Sequence, residues 1–213
     1  MRAGTLEKAM GLLGGTFIVV GVLQPSIDGR SVLLPFLGIA LLIALIRVGR
    51  YERFRASPWF ALSVGCVVLG IGLALVALLP GRDPRTPSTI TLLLAFAGTT
   101  AYAGALRDWC RHQGWAPPAE KAIVARRWLG AATGLFLVGL VVVTITVQPT
   151  TVPASEMMPT TAFLGRTFRG WAAEVVMAAA LLTWLVGLLK LRGASQLVRH
   201  SLRAQPDAEL VAA

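Results

Sequence analysis

The 213-residue chain has no asparagine, only three lysines, two histidines and two cysteines, and just 14% of it is Asp, Glu, Lys or Arg. Each shortage excludes something. Soluble domains carry about 25% charged residues. A chain that is 55% hydrophobic has too little polar surface to coat a water-facing globule. Two cysteines, Cys66 and Cys110, do not make a disulfide framework. Neither histidine, His112 nor His200, falls inside an apolar run, so haem held within a membrane is excluded. Cys110 and His112 flank Arg111, but two ligands do not make a zinc site. Met157, Met158 and Met177 are too few for a copper site of soft sulfur ligands. There is no Walker-type glycine loop, HExxH, nucleophile elbow, CxxCH or close acidic pair. No cofactor and no metal are expected.

What is present is apolar length. About 20 apolar residues cross the hydrocarbon layer. Six runs approach that length, at 9–23, 32–46, 59–79, 89–106, 128–147 and 171–189. The first two are short and need flanking residues, with Lys8 and Arg47 snorkelling. Runs that stay apolar all round lack the polar face of a soluble bundle helix. The expected fold is therefore an all-α polytopic membrane bundle of six transmembrane helices, forming one membrane domain over residues 1–213. The first run resembles a signal peptide in its charged start. Gly21-Val22-Leu23-Gln24-Pro25 is nonetheless a poor cleavage site, so the run is expected to be retained.

The formal charge of +10 invites a nucleic-acid reading, which sorting by loop removes. Fifteen basic residues fall on one side: Arg2 and Lys8; Arg47, Arg50, Arg53 and Arg55; Arg107, Arg111, Lys121, Arg126 and Arg127; Lys190, Arg192, Arg199 and Arg203. Five fall on the other, Arg30, Arg82, Arg85, Arg166 and Arg169. Basic residues mark the cytoplasmic side, so both termini are expected there. Trp59, Trp109, Trp115, Trp128 and Trp171 sit at predicted span ends, where indole rings favour the headgroup layer; Trp184 alone lies well inside a span. The expected location is a bacterial cytoplasmic (inner) membrane, crossed several times. The high ratio of arginine to lysine fits a genome rich in G and C.

The runs pair as three hairpins that turn around Pro25, Pro80 and Pro84, and Pro149. Residues 148–170 read as the longest outer loop, in which Pro159-Thr160-Thr161 starts a short interfacial helix or a plain connection. Residues 107–127 read as the largest cytoplasmic loop, broken by Pro117-Pro118, with a helix over 119–127. Residues 192–213 read as a short basic amphipathic helix that frays, forming a cytoplasmic tail. Gly11 to Gly15 and Gly130 to Gly134 have the spacing of helix-packing faces.

Few residues offer chemistry. Glu174 is the only carboxylate inside a predicted span, and ionisable groups there are functional by default. Arg166 and Arg169 precede it closely enough in sequence to pair with it. Its two readings are an ion pair fixing the outer loop and a proton or cation site. In the fourth run, Thr99, Thr100 and Tyr102 would either line a polar path or bond neighbouring helices. Arg50, Arg53 and Arg55 form a juxtamembrane cluster that attracts anionic lipid at about 1 kcal/mol per charge. Three functions fit. One is a small permease or membrane subunit of a transport system, coupled to a separate ATPase subunit. A second is a non-catalytic scaffold for another membrane protein. The third is an enzyme acting on a lipid or isoprenoid with Glu174 as acid, against which the missing second carboxylate counts.

Overall fold

Apolar runs that lack internal proline become helices, because hydrocarbon offers the backbone no other hydrogen-bond partners. The structure, a computed structural model, describes residues 33–49, 52–77, 79, 85–146 and 159–204. Side chains are described over 38–49, 54–76, 79, 90–142 and 175–202. The predicted first span, 9–23, and the proline turns around Pro25, Pro80 and Pro84, and Pro149 lie outside the described residues. The elements are α1 (Leu33–Val48), the single turn α2 (Glu52–Arg55), α3 (Pro58–Ala77), α4 (Arg85–His112), α5 (Ala116–Thr146) and α6 (Pro159–Ala204). No strand occurs among the described residues.

Four of these helices are long and apolar enough to cross a membrane: Pro58–Val76, Ile90–His112, Ala116–Val142 and Val175–Leu202. Leu69, Val175 and Leu182 are each more than 60% exposed. Large aliphatic side chains left open along whole helix faces suit lipid rather than water. The chain is a multi-pass helical membrane protein.

Neighbours in sequence are neighbours in space. α1 packs on α3, α3 on α4, α4 on α5 and α5 on α6, and α4 also touches α6. Half of the α4 span is buried, against 28% of each of the other three, so α4 is the central helix. The α5–α6 contact mixes small and large residues on both helices. Ala119, Ala122, Ala125, Leu129, Ala132 and Phe136 of α5 are buried, as are Ala180, Trp184, Leu188, Leu191, Ala194 and Val198 of α6, and the two helices pack on each other. Small residues let two membrane helices approach closely.

Three expectations about loops are corrected. Helix α5 begins at Ala116, so the supposed loop over 107–127 shrinks to residues 113–115. Pro117 and Pro118 sit in the first turn of α5, where no amide hydrogen is needed, and start the helix instead of breaking it. Helix α6 begins at Pro159 and runs unbroken to Ala204, so the supposed loop ends twelve residues early and residues 192–204 of the basic tail are its last turns. That tail is not free: Ala194, Ser195, Val198 and Leu202 are buried. At about 1.5 Å per residue, α5 and α6 rise roughly 46 and 69 Å, well beyond a hydrocarbon layer of about 30 Å. The packing of α5 on α6 continues into their charged segments, where Ala122 and Ala125 of α5 and Leu191, Ala194 and Val198 of α6 are buried.

The turn between α4 and α5 closes on local bonds. Gly114 has φ +72°, the left-handed conformation that ends a helix. The Trp115 amide donates to the Cys110 carbonyl at 2.9 Å, and the Gly114 amide to Arg111 at 3.1 Å. Trp115 then packs edge-on against Trp109, ring centres 5.2 Å apart. Trp109 itself is 2% exposed, so it serves the core and not the headgroup layer expected for it.

Candidate functional site

The polar residues of α4 meet three other helices near its middle. On the α3 side, the Ser63 hydroxyl donates to the Gly98 carbonyl at 2.9 Å. A Cβ on Gly98 would stand 3.1 Å from the Cβ of Cys66, so the glycine allows that approach.

On the α6 side, Trp184 Nε1 donates to Thr99 Oγ1 at 3.0 Å, and the bond is buried. Thr99 Oγ1 in turn lies 2.9 Å from the Ala95 carbonyl and 3.0 Å from that of Phe96. Its one proton goes back to its own helix while a lone pair receives the indole N–H. The Trp184 ring stacks on Phe96 at 4.5 Å, and Phe96 stacks on Phe136 of α5 at 5.0 Å. Aromatic pairs of this kind contribute about 0.5–1.5 kcal/mol beyond area burial.

On the α5 side, Thr100 Oγ1 lies 3.3 Å from Thr133 Oγ1. Thr100 also reaches the Phe96 carbonyl at 2.8 Å, and Thr133 the Leu129 carbonyl at 2.9 Å. Each hydroxyl has one proton, so the bond between the two threonines forms only when one of them releases its own helix.

Of the residues singled out in the sequence, Thr99 and Thr100 thus lie together in a seam between helices. Thr99 is 2% exposed. Tyr102 is fully buried but belongs to a separate aromatic cluster at one end of the bundle, 6.1 Å from the ring of Phe54. Phe54 also meets Phe60 at 5.2 Å and Trp109 at 5.8 Å. Next to that cluster the Arg126 guanidinium sits 4.1 Å over the Trp59 ring. A Cβ on Gly104 would approach Trp59 Cγ to 3.0 Å, so the indole is held between a cation and a glycine.

Glu174, Arg166 and Arg169 all lie on the helical backbone of α6, and their side chains are outside the described residues. Helix register puts position 169 about 140° around the axis from position 174, and position 166 about 12 Å along it. Position 174 is about 15 Å along the same axis from position 184, where the seam lies. The candidates occupy two levels of the bundle, not one.

Trp184 was not among the sequence candidates. The available signal was an indole N–H placed mid-span, which must find an acceptor in a dry interior. The Gly130–Gly134 pair was expected to pack, but a Cβ on either would meet nothing within 4 Å. Packing uses Gly139 and Gly187 instead, where a Cβ would fall 2.7 Å from Met177 Sδ and 2.7 Å from Leu129 Cδ2. Among the described residues no three of His, Cys, Asp and Glu come together as a metal site; Cys110 is buried and His112 exposed. No family model, curated protein or solved structure matches this chain.

Proposed function

We propose that the chain is a non-catalytic membrane scaffold, a helical subunit that organises another membrane protein. It sits in a bacterial cytoplasmic membrane with six spans and both termini inside. The observation that carries this reading is the closed seam on α4. Thr99 and Thr100, the hydroxyls best placed to line a path, are engaged by Trp184, Thr133 and their own backbone. The charged segments of α5 and α6 add exposed polar residues such as Glu120, Lys121 and Lys190 at the same end of the bundle. Purification from native membranes in a lipid-preserving polymer is expected to bring down a second polypeptide in constant ratio. Recovery of this chain alone, at every level of expression, overturns the scaffold reading.

A transport reading rests on Glu174, a carboxylate carried on the backbone of α6 within the expected sixth span. In that reading the chain is a small permease or the membrane subunit that a coupling ATPase subunit drives. Arg166 and Arg169 would set the charge at the outer end. Glu174→Gln is expected to leave partner recovery unchanged under the scaffold reading and to lower only thermal stability, through loss of an ion pair. Loss of solute uptake with stability intact would favour transport instead.

A further inference from the structure

We infer that the N-terminus of α3 is a phosphate-binding site that takes the headgroup of an anionic phospholipid. This rests on the membrane reading above and goes beyond general attraction of lipid to Arg50, Arg53 and Arg55. Ser57 caps the helix: its carbonyl accepts the amides of Phe60 at 3.0 Å and Ala61 at 3.4 Å. A capping serine ordinarily also uses its side-chain oxygen on a first-turn amide. Here the Ser57 hydroxyl is buried with no partner, in a residue only 9% exposed. Pro58 brings no amide hydrogen, and a first-turn amide such as that of Trp59 has no acceptor within its helix.

The charges around this end have the wrong sign for a helix start. The partial positive charge of a helix N-terminus favours acids there, yet the first turn of α3 contains none. One cation stands there instead, and a second is close in sequence. Arg126 lies over the Trp59 ring at 4.1 Å, and Arg55, two residues before Ser57, is exposed. The ion pair of Arg107 with Asp108 involves neither arginine, and neither has a carboxylate partner among the described residues. Residues 47–55 hold four arginines and a single glutamate, Glu52, so the segment stays positive with Glu52 ionised. A phosphate here would answer the helix charge, the guanidinium groups and the orphan hydroxyl together, as anions do at helix N-termini. Trp59, half-buried at the predicted headgroup level, favours a lipid as the source of that phosphate.

The test is native mass spectrometry of the full chain in detergent, titrated with phosphatidylglycerol, phosphatidylcholine or inorganic phosphate. One phosphatidylglycerol is expected to be retained in preference to phosphatidylcholine. Arg126→Gln is expected to weaken retention about tenfold, and Arg55→Gln and Ser57→Ala each about threefold. Lys121→Gln, an exposed charge elsewhere on α5, is expected to change nothing. Arg55 is exposed, so its variant tests the site without disturbing the fold, and a melting curve checks each protein. Equal losses for Lys121→Gln and the site variants, or no preference for phosphatidylglycerol, overturn the site. Displacement of the lipid by millimolar inorganic phosphate overturns the lipid assignment and gives the site to soluble phosphate. Extraction of the wild-type chain from membranes by alkaline carbonate is a different failure, that of the membrane reading itself.

Discussion

Gly187→Leu is expected to open the α5–α6 contact and lower stability by about 3 kcal/mol, at the upper end of what overpacking costs. A Cβ at this position would stand 2.7 and 2.8 Å from the side chain of Leu129 and 3.1 Å from its backbone nitrogen. The side chain could turn away, but the backbone nitrogen belongs to α5 and moves only if the helix moves. Gly139→Leu meets the flexible end of Met177 first, at 2.7 Å, and is expected to cost less. Gly134→Leu, with nothing within 4 Å, is expected to cost nothing measurable. Unfolding midpoints in a denaturing-detergent titration would rank the three, with Gly187→Leu lowest. A large loss at Gly134 would mean that the open face of α5 is covered by something in the folded state, such as a second copy or a partner.

That ranking also marks where the sequence was readable. Apolar length located α3 to α6 well, because hydrocarbon thickness sets it. Helix ends were not readable from polarity. Residues 107–112 carry charges and look like a loop, while 119–127 and the tail from 192 read as helices whose continuity with the spans polarity does not show. Yet no residue in them stops the backbone from continuing its hydrogen bonds. Only Gly114, with its positive φ, ends a helix there. The face of α5 that packs was ambiguous for a simpler reason. Gly130–Gly134 and Ala125–Leu129–Ala132 interleave on one helix, and a shift of one residue turns the face by about 100°. Composition cannot choose between them. The seam was half legible: Thr99 and Thr100 drew notice as polar residues mid-span. Their partners Trp184 and Thr133 are 85 and 33 residues away, and only the crossing of α4 with α5 and α6 brings them together.

Trp184→Ala is expected to cost about 3–5 kcal/mol, the range for deleting a large buried ring. The ring is 1% exposed and stacked on Phe96 at 4.5 Å, so little can close over the space. Trp184→Phe keeps an aromatic ring but removes the N–H donor. It is expected to cost more than the bond alone, about 0.6–1.7 kcal/mol between membrane helices, because the smaller ring also leaves a void. Thr99→Val leaves the indole N–H buried without an acceptor, at about 1–3 kcal/mol. The double variant removes donor and acceptor together, so its cost is expected to fall short of the sum of the two singles. Measured as a cycle of unfolding free energies in detergent, that shortfall isolates the coupling across α4 and α6. A strong coupling means that Thr99 stays with Trp184 and is not free to coordinate a passing solute, as a scaffold requires. An additive cycle means that the Thr99 hydroxyl is satisfied without Trp184, by water or by its own backbone. A wetted hydroxyl at this level is what a polar path would need, and it would put the transport reading ahead of the scaffold.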